Sequence, residues 1–262
     1  MRIALLLEYD GSAYHGWQLQ AGVPSVQEDL EQALGSVAGA PVRATAAGRT
    51  DRGVHASVQV VHFDAPAERP LSAWVRGVNA HLGAACCVRW AGAVDDQFHA
   101  RFDAKSRSYC YLLHNHRVRP AMLRAYSGWC HRPLDVELMQ RAAGKLLGEH
   151  DFTSFRASQC QAKTPIKTMH SCDVSRHGEW IMFRLRANAF LHHMVRNIVG
   201  ALVRVGRGAA APEWMDDLLA ARNRSLGAPT FGPQGLYLCG IEYPPQCGLP
   251  AEQLVRLPFP PL

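Results

Sequence analysis

The chain has 262 residues, 48% hydrophobic and 19% charged, a globular composition that excludes a disordered polypeptide and suffices for one large domain or two ordinary ones. A net charge of +6 permits a polyanionic partner without demanding one. No apolar stretch has the length of a membrane span, since the longest candidate, Ile198 to Val205, is interrupted by Arg204. The first strand is expected around Ile3–Tyr9, the apolar run at the N-terminus being too short for a signal peptide. A Gly-rich aromatic loop follows, Asp10-Gly-Ser-Ala-Tyr-His-Gly-Trp17. Ser25 stands three residues before Glu28, a capping-box start, and Val26, Leu30, Ala33, Leu34 and Val37 recur at helical spacing until Gly39. Strands are predicted at Val42–Ala47, Val58–Phe63 and Cys86–Val94, and a helix at Leu71–Leu82.

The second half repeats this order. An extended segment spans Ser106–His114, and a helix fits Val136–Leu147 behind Asp135 as N-cap. Strands fit Ile166–Ser175 and Trp180–Ala187, helices Phe190–Val205 and Glu213–Arg222, and a last strand Leu236–Tyr243. Each half thus reads strand–helix–strand–strand–helix–strand, with one extra helix in the second. The expectation is an α+β chain of two ferredoxin-like (split βαβ) domains with antiparallel sheets and helices on one face. Their boundary is expected near residue 105, giving domains 1–105 and 106–243 and a proline-rich tail over 244–262 lying on the surface.

Basic charge is concentrated. Arg101 to Arg132 carries seven Lys/Arg against Asp103 alone, and Arg184 to Arg207 carries five arginines and no acid. Such clustering suits a nucleic-acid footprint, although charge alone fits two solvated basic faces equally well. The eight cysteines are irregularly spaced with no C-x-x-C pair, which predicts reduced thiols in a cytoplasm rather than a disulfide scaffold. The neighbours His170/Cys172 and Cys130/His131 lack the paired spacing of a zinc site, so no metal is expected.

The segment Gly48-Arg-Thr-Asp-Arg-Gly-Val-His-Ala56 falls between the second and third strands. Gly48 and Gly53 permit tight turns, and Arg49 and Arg52 flank Asp51, so the carboxylate is expected to stay ionised and able to act as nucleophile or general base. By composition alone an ordinary Asp-x-Gly turn with solvated arginines is the stronger reading of this loop. Alternation places Arg107, Tyr109 and Tyr111 on one strand face, where an aromatic could meet a base or, at Tyr111 above all, join a cross-strand aromatic pair facing the core. On the 190–205 helix, Phe190, Met194, Ile198 and Leu202 form a core stripe, while His193, Arg196 and Arg204 project elsewhere.

The nine-residue block resembles the signature of the TruA-type tRNA pseudouridine synthases, and the resemblance extends over nearly the whole chain. It includes Tyr9-Asp-Gly, Gly16-Trp-Gln, Ser25-Val-Gln, Phe98-His-Ala-Arg-Phe102, Arg107-x-Tyr-x-Tyr111, His150-Asp-Phe-Thr-Ser-Phe155, Phe190-x-x-x-Met-Val-Arg196-Asn-Ile-Val-Gly200 and Gly235-Leu-Tyr-Leu. The resemblance implies two ferredoxin-like domains with a catalytic cleft between them. It implies isomerisation of uridine to pseudouridine at positions 38, 39 and 40 of the tRNA anticodon stem-loop, by a homodimer without metal or cofactor. Asp51 would be the catalytic aspartate and Arg196 its basic partner. Arg49 would hold the flipped nucleotide's backbone, Tyr109 would stack on the base, and Leu236 would pack beneath it. Arg52, Arg107, Lys167 and His193 are further tRNA contacts on this reading. Arg52 stands where a small residue or lysine is usual, Lys167 where arginine is common, and Pro229-Thr-Phe-Gly-Pro233 also departs from the pattern. The rival, a non-catalytic protein with two RRM-like domains, would need an aromatic octapeptide on a third strand; neither Ser57–Phe63 nor Trp180–Arg186 supplies one.

Overall fold

A computed structural model describes residues 1–258. Two compact units emerge among the described residues, 1–107 together with 237–258, and Ser108–Leu236. The architecture is mixed α+β, and among the described residues no helix is long and apolar enough to cross a membrane.

The first unit contains β1 (Arg2–Tyr9), α1 (Val26–Ala38), β2 (Thr45–Ala46), β3 (His55–Asp64), α2 (Val78–His81) and β4 (Cys86–Val94). Its strands run β4-β1-β3-β2, the order of a split βαβ unit, and all these pairings are antiparallel. Ser25 caps α1 by accepting the Glu28 amide, and Gly39 ends it at φ +76, as the capping signals require. Two elements differ from the sequence reading. β2 is only two residues long, because the chain leaves β3 immediately to form the loop that carries Asp51. The helix expected over Leu71–Leu82 contains a π turn at Ala73–Gly77, and Trp74 is buried there, edge-on to Phe63 with ring centres 5.1 Å apart.

The last strand, β10 (Leu236–Glu242), pairs in parallel with the start of β3, Tyr237 opposite His55 and Leu238 opposite Ala56. The sequence reading placed this strand in the second half; hydropathy identifies an apolar strand but not the sheet edge it joins. The described part of the tail is tied to this strand. The Ile241 amide donates to Leu254 and the Arg256 amide to Cys239, Leu254 is buried, and the Arg256 guanidinium pairs with Glu8. Residues 259–262 of the expected tail lie outside the described residues.

The second unit contains β5 (Ser106–Asn115), β6 (Gly128–Cys130), α3 (Val136–Gly144), β7 (Gly148–Asp151), β8 (Ile166–His177), β9 (Trp180–Ala187), α4 (Met194–Gly206) and α5 (Trp214–Ala221). The strand order is β5-β9-β8-β7, with β6 parallel to β5. β6 and β7 are too short to show a period in the sequence. Helix α4 begins at Met194 rather than Phe190, because His193 adopts a left-handed conformation at φ +62. Phe190 is therefore not part of the helical core stripe. Met139 of α3 packs where a side chain at Gly206 would stand, so the two helices approach closely.

Candidate active site

In the first unit, the loop between β2 and β3 is fixed almost entirely through its backbone. The Gly48 carbonyl accepts from Gln59 Nε2 at 2.6 Å, and the Gly48 amide donates back to Gln59 Oε1 at 3.4 Å. Gln59 is fully buried in the middle of apolar β3, a position that only a complete hydrogen-bond set makes tolerable. The Tyr9 and Thr50 hydroxyls lie 2.8 Å apart, and burial raises the phenol's pKa so that it stays protonated. The Trp17 amide donates to the Thr50 carbonyl at 3.0 Å, and the Gly53 amide to Tyr14 at 3.4 Å. Gly53 turns the chain at φ +75, and the Val54 amide closes the turn onto the Asp51 carbonyl at 3.1 Å.

Two glycines from the preceding aromatic loop make this clamp possible. A side chain at Gly11 would overlap the Val54 carbonyl, and one at Gly16 would approach the Thr50 carbonyl to 2.7 Å. Immediately after the loop, the His55 ring receives the Gly11 amide at Nδ1 (3.1 Å) and stacks on Tyr237 with centroids 4.7 Å apart. Within this frame Asp51 is half-buried, whereas Arg49 and Arg52 on either side are exposed. A rigid backbone thus presents one partly enclosed carboxylate among exposed cations, the arrangement required of a group that meets a polyanion and acts on it.

Arg107 has a different place from the one its sequence suggests. It is buried, and its guanidinium donates to the carbonyls of Ala47 (2.9 Å), Ala104 (2.9 Å) and Arg101 (2.5 Å). The Ala47 carbonyl directly precedes Gly48, so this cation holds the root of the Asp51 loop.

In the second unit, Tyr109 is buried and meets Phe190 edge-on at 5.0 Å. Tyr111 is fully buried, donates to the Gly232 carbonyl at 2.8 Å, and contacts Phe183 and Phe231. Strand β5 is buried at nearly every position, so alternation along it does not separate a binding face from a core face. Arg196 is half-buried; its Nε donates to the Phe231 carbonyl at 2.8 Å, and its own carbonyl accepts the Phe231 amide at 3.2 Å. Leu236 is buried, with its amide on the Pro233 carbonyl.

The segment bearing Phe231 is held by groups the sequence did not single out. Asn197, buried one position after Arg196, donates to the Phe155 carbonyl at 2.7 Å and accepts from Thr230 (2.7 Å) and Arg224 (3.0 Å). Gly200 leaves room for the Pro229 carbonyl. The polar residue at an otherwise apolar helix position was the available signal for Asn197, as it was for Gln59 in β3. Lys167 is buried with its Nζ on the carbonyls of Thr164 (2.8 Å) and Ile166 (2.7 Å), and burial lowers its pKa. Like Arg107, it closes its own loop.

A family model described as tRNA pseudouridine synthase matches residues 6–103 and 142–244. A protein named tRNA pseudouridine synthase A from Dechloromonas aromatica is 55% identical over 250 residues, covering 95% of each chain. One of the same name from Bordetella parapertussis is 56% identical over 249 residues, covering 94% of this chain and 92% of that one. A third, from Aromatoleum aromaticum, is 55% identical over 263 residues, covering 99% and 100%. With its Asp51 loop and split βαβ sheet, this chain belongs to the tRNA pseudouridine synthase family.

Proposed function

We propose that this enzyme isomerises uridine to pseudouridine at positions 38, 39 and 40 of the tRNA anticodon stem-loop, with Asp51 as the catalytic group. The observation that carries the reading is the half-buried Asp51 carboxylate on a backbone clamped from behind, in a chain about 55% identical to proteins named for this activity. The target uridine leaves the helical stack to reach the carboxylate. The bond from N1 of uracil to C1′ breaks, the ring turns, and C5 bonds to C1′. The hydrogen on C5 leaves as a proton, and N1 ends with a proton of its own. No redox change occurs, so the reaction calls for no cofactor.

On this reading Arg49 holds the flipped nucleotide's backbone, Tyr109 stacks on the uracil, Leu236 packs beneath it, and Arg196 is the basic residue that serves the catalytic carboxylate. Arg52 and His193 contact tRNA beyond the pocket. Arg107 and Lys167 act one step back, by fixing the loops that carry such contacts. The enzyme works in the cytoplasm, as a homodimer that grips one tRNA with both subunits.

Tritium release from C5-labelled uridine in tRNA tests the assignment. Asp51→Asn keeps the shape of the side chain and removes its charge; release should fall by at least about 10³-fold while tRNA binding persists. Full activity in that variant overturns the role of Asp51. Tyr109→Phe should keep most of the stacking and lose some rate, whereas Tyr109→Ala should lose both.

A further inference from the structure

Among the described residues, Phe102 is the most exposed aromatic side chain of the first unit, 73% exposed, yet it stands on a hydrogen-bonded turn. His99 Nδ1 accepts the amides of both Arg101 and Phe102, each at 3.2 Å. The His99 amide donates to the Asp103 carboxylate at 2.7 Å, and the Asp103 amide returns to the His99 carbonyl at 3.0 Å. These bonds close a tight turn that lays the Phe102 ring on the His99 imidazole, 4.2 Å between centres and 25° from parallel. Beneath it, His62 meets His99 edge-on at 4.9 Å and accepts the Ala100 amide at 3.1 Å. The Arg101 guanidinium carbon lies over the Phe102 ring, 5.7 Å from its centre, so that a base stacking there would share the ring with this cation or displace it toward the phosphate.

A single exposed aromatic is ordinary on a protein surface, but here the hydrogen-bonded turn holds the ring as a π surface on which a further ring can stack. Its neighbours indicate what does so. Arg101 and Lys105 open the run of seven basic residues against one acid, so the surroundings suit a polyanion better than an apolar protein surface. The turn is also coupled to the Asp51 loop: the Arg107 guanidinium that donates to the Arg101 and Ala104 carbonyls also donates to the Ala47 carbonyl, just ahead of Gly48.

We propose that Phe102, with Arg101 beside it, is a stacking platform for an unpaired nucleobase of the RNA on which Asp51 acts. Every base has a π face, so an aromatic extends the His99–Phe102 stack without reading sequence, while Arg101 meets the adjoining phosphate. The proposal rests on the reading of the chain as a tRNA-modifying enzyme and adds a contact outside the uridine pocket.

Equilibrium binding of tRNA to the full chain, with single-turnover rates at saturating tRNA, tests it. Phe102→Ala should weaken binding about tenfold and leave the saturated rate unchanged. Phe102→Trp should bind within about twofold of the parent, whereas Phe102→Leu, apolar but not aromatic, should behave like the alanine variant. The slope of affinity against salt should hold in Phe102→Ala and fall by about one in Arg101→Gln. Parental binding by Phe102→Ala or by Phe102→Leu overturns the proposal. So does a change in sedimentation on removing the ring, which would make the surface a contact between copies of the chain. If the parent binds tRNA but forms no pseudouridine, the catalytic reading fails while the binding series still decides on Phe102.

Discussion

Asp51 stands on a loop with no regular structure, whereas Arg196 stands near the start of a thirteen-residue helix, and the two are secured in different ways. Around Asp51 the restraint comes from backbone groups: the Gly48, Thr50 and Gly53 backbones are held by Gln59, Trp17 and Tyr14, and two glycines permit the contact. Around Arg196 the helix supplies the position, and side chains tether the irregular 229–232 segment to it. A loop without its own hydrogen-bond ladder must borrow every restraint from neighbours, so its geometry is sensitive to changes several residues away. A helical residue inherits its position from its turn and is sensitive mainly to what the helix packs against.

Substitutions can break this contrast. The largest effect beyond Asp51 itself is expected at Gly11, where a methyl group overlaps the Val54 carbonyl and the Asp51 loop must move. Gly11→Ala should reduce tritium release about 10²-fold, because a displacement near 1 Å spoils a reacting geometry. Thermal melting of the same variant should show a loss of about 1–3 kcal/mol, typical of overpacking. Parental activity would show that the loop is not positioned from behind.

Asn197→Ala should reverse that balance. It strips partners from the Phe155 carbonyl, Thr230 and Arg224 inside the second unit, at a cost of about 2–3 kcal/mol in denaturant melts. Activity per folded molecule should fall less than in Gly11→Ala, since α4 still places Arg196. Burial lowers the pKa of the half-buried Arg224, so losing the Asn197 acceptor costs a partly desolvated cation one of its partners.

The smallest effect sharpens the picture by pH. Burial, then the charges of His99 and Arg2, lower the His62 pKa to about 4, against the opposing pull of Asp64 and Asp103. His62 must stay neutral at Nδ1 to accept the Ala100 amide. The unfolded chain binds this proton more readily than the folded one. Its contribution to stability is therefore complete above pH 6.5 and is lost as pH falls from 6.5 toward 4. His62→Gln should flatten the melting temperature over that window by a few degrees relative to the parent; an unchanged profile would mean that another group governs acid sensitivity.

Regular elements with strong local signals were legible in advance. Ser25 with Glu28 and Gly39 fixes the ends of α1, Asp135 caps α3 by accepting the Leu138 amide, and the strand–helix order of the first half gives its β4-β1-β3-β2 sheet. Asp51 was legible because its motif is contiguous: a site carried by one loop leaves its chemistry in consecutive residues. The amino-acid sequence by itself thus determined the family, the α+β class and the loop on which the proposed catalytic carboxylate stands.

The tertiary structure alone decided how the cations divide. Arg49, Arg52, Arg107 and Lys167 look alike in a sequence, and their charge promised tRNA contacts from all four. Burial keeps Arg107 and Lys167 on backbone carbonyls and leaves Arg49 and Arg52 at the surface. The partner of β10, the His193 kink that starts α4 late, and the service of Gln59 and Asn197 to the loops beside them were likewise hidden. Each depends on a group distant in the chain, and local periodicity records only which side of an element is apolar, not which backbone oxygen will come to face it.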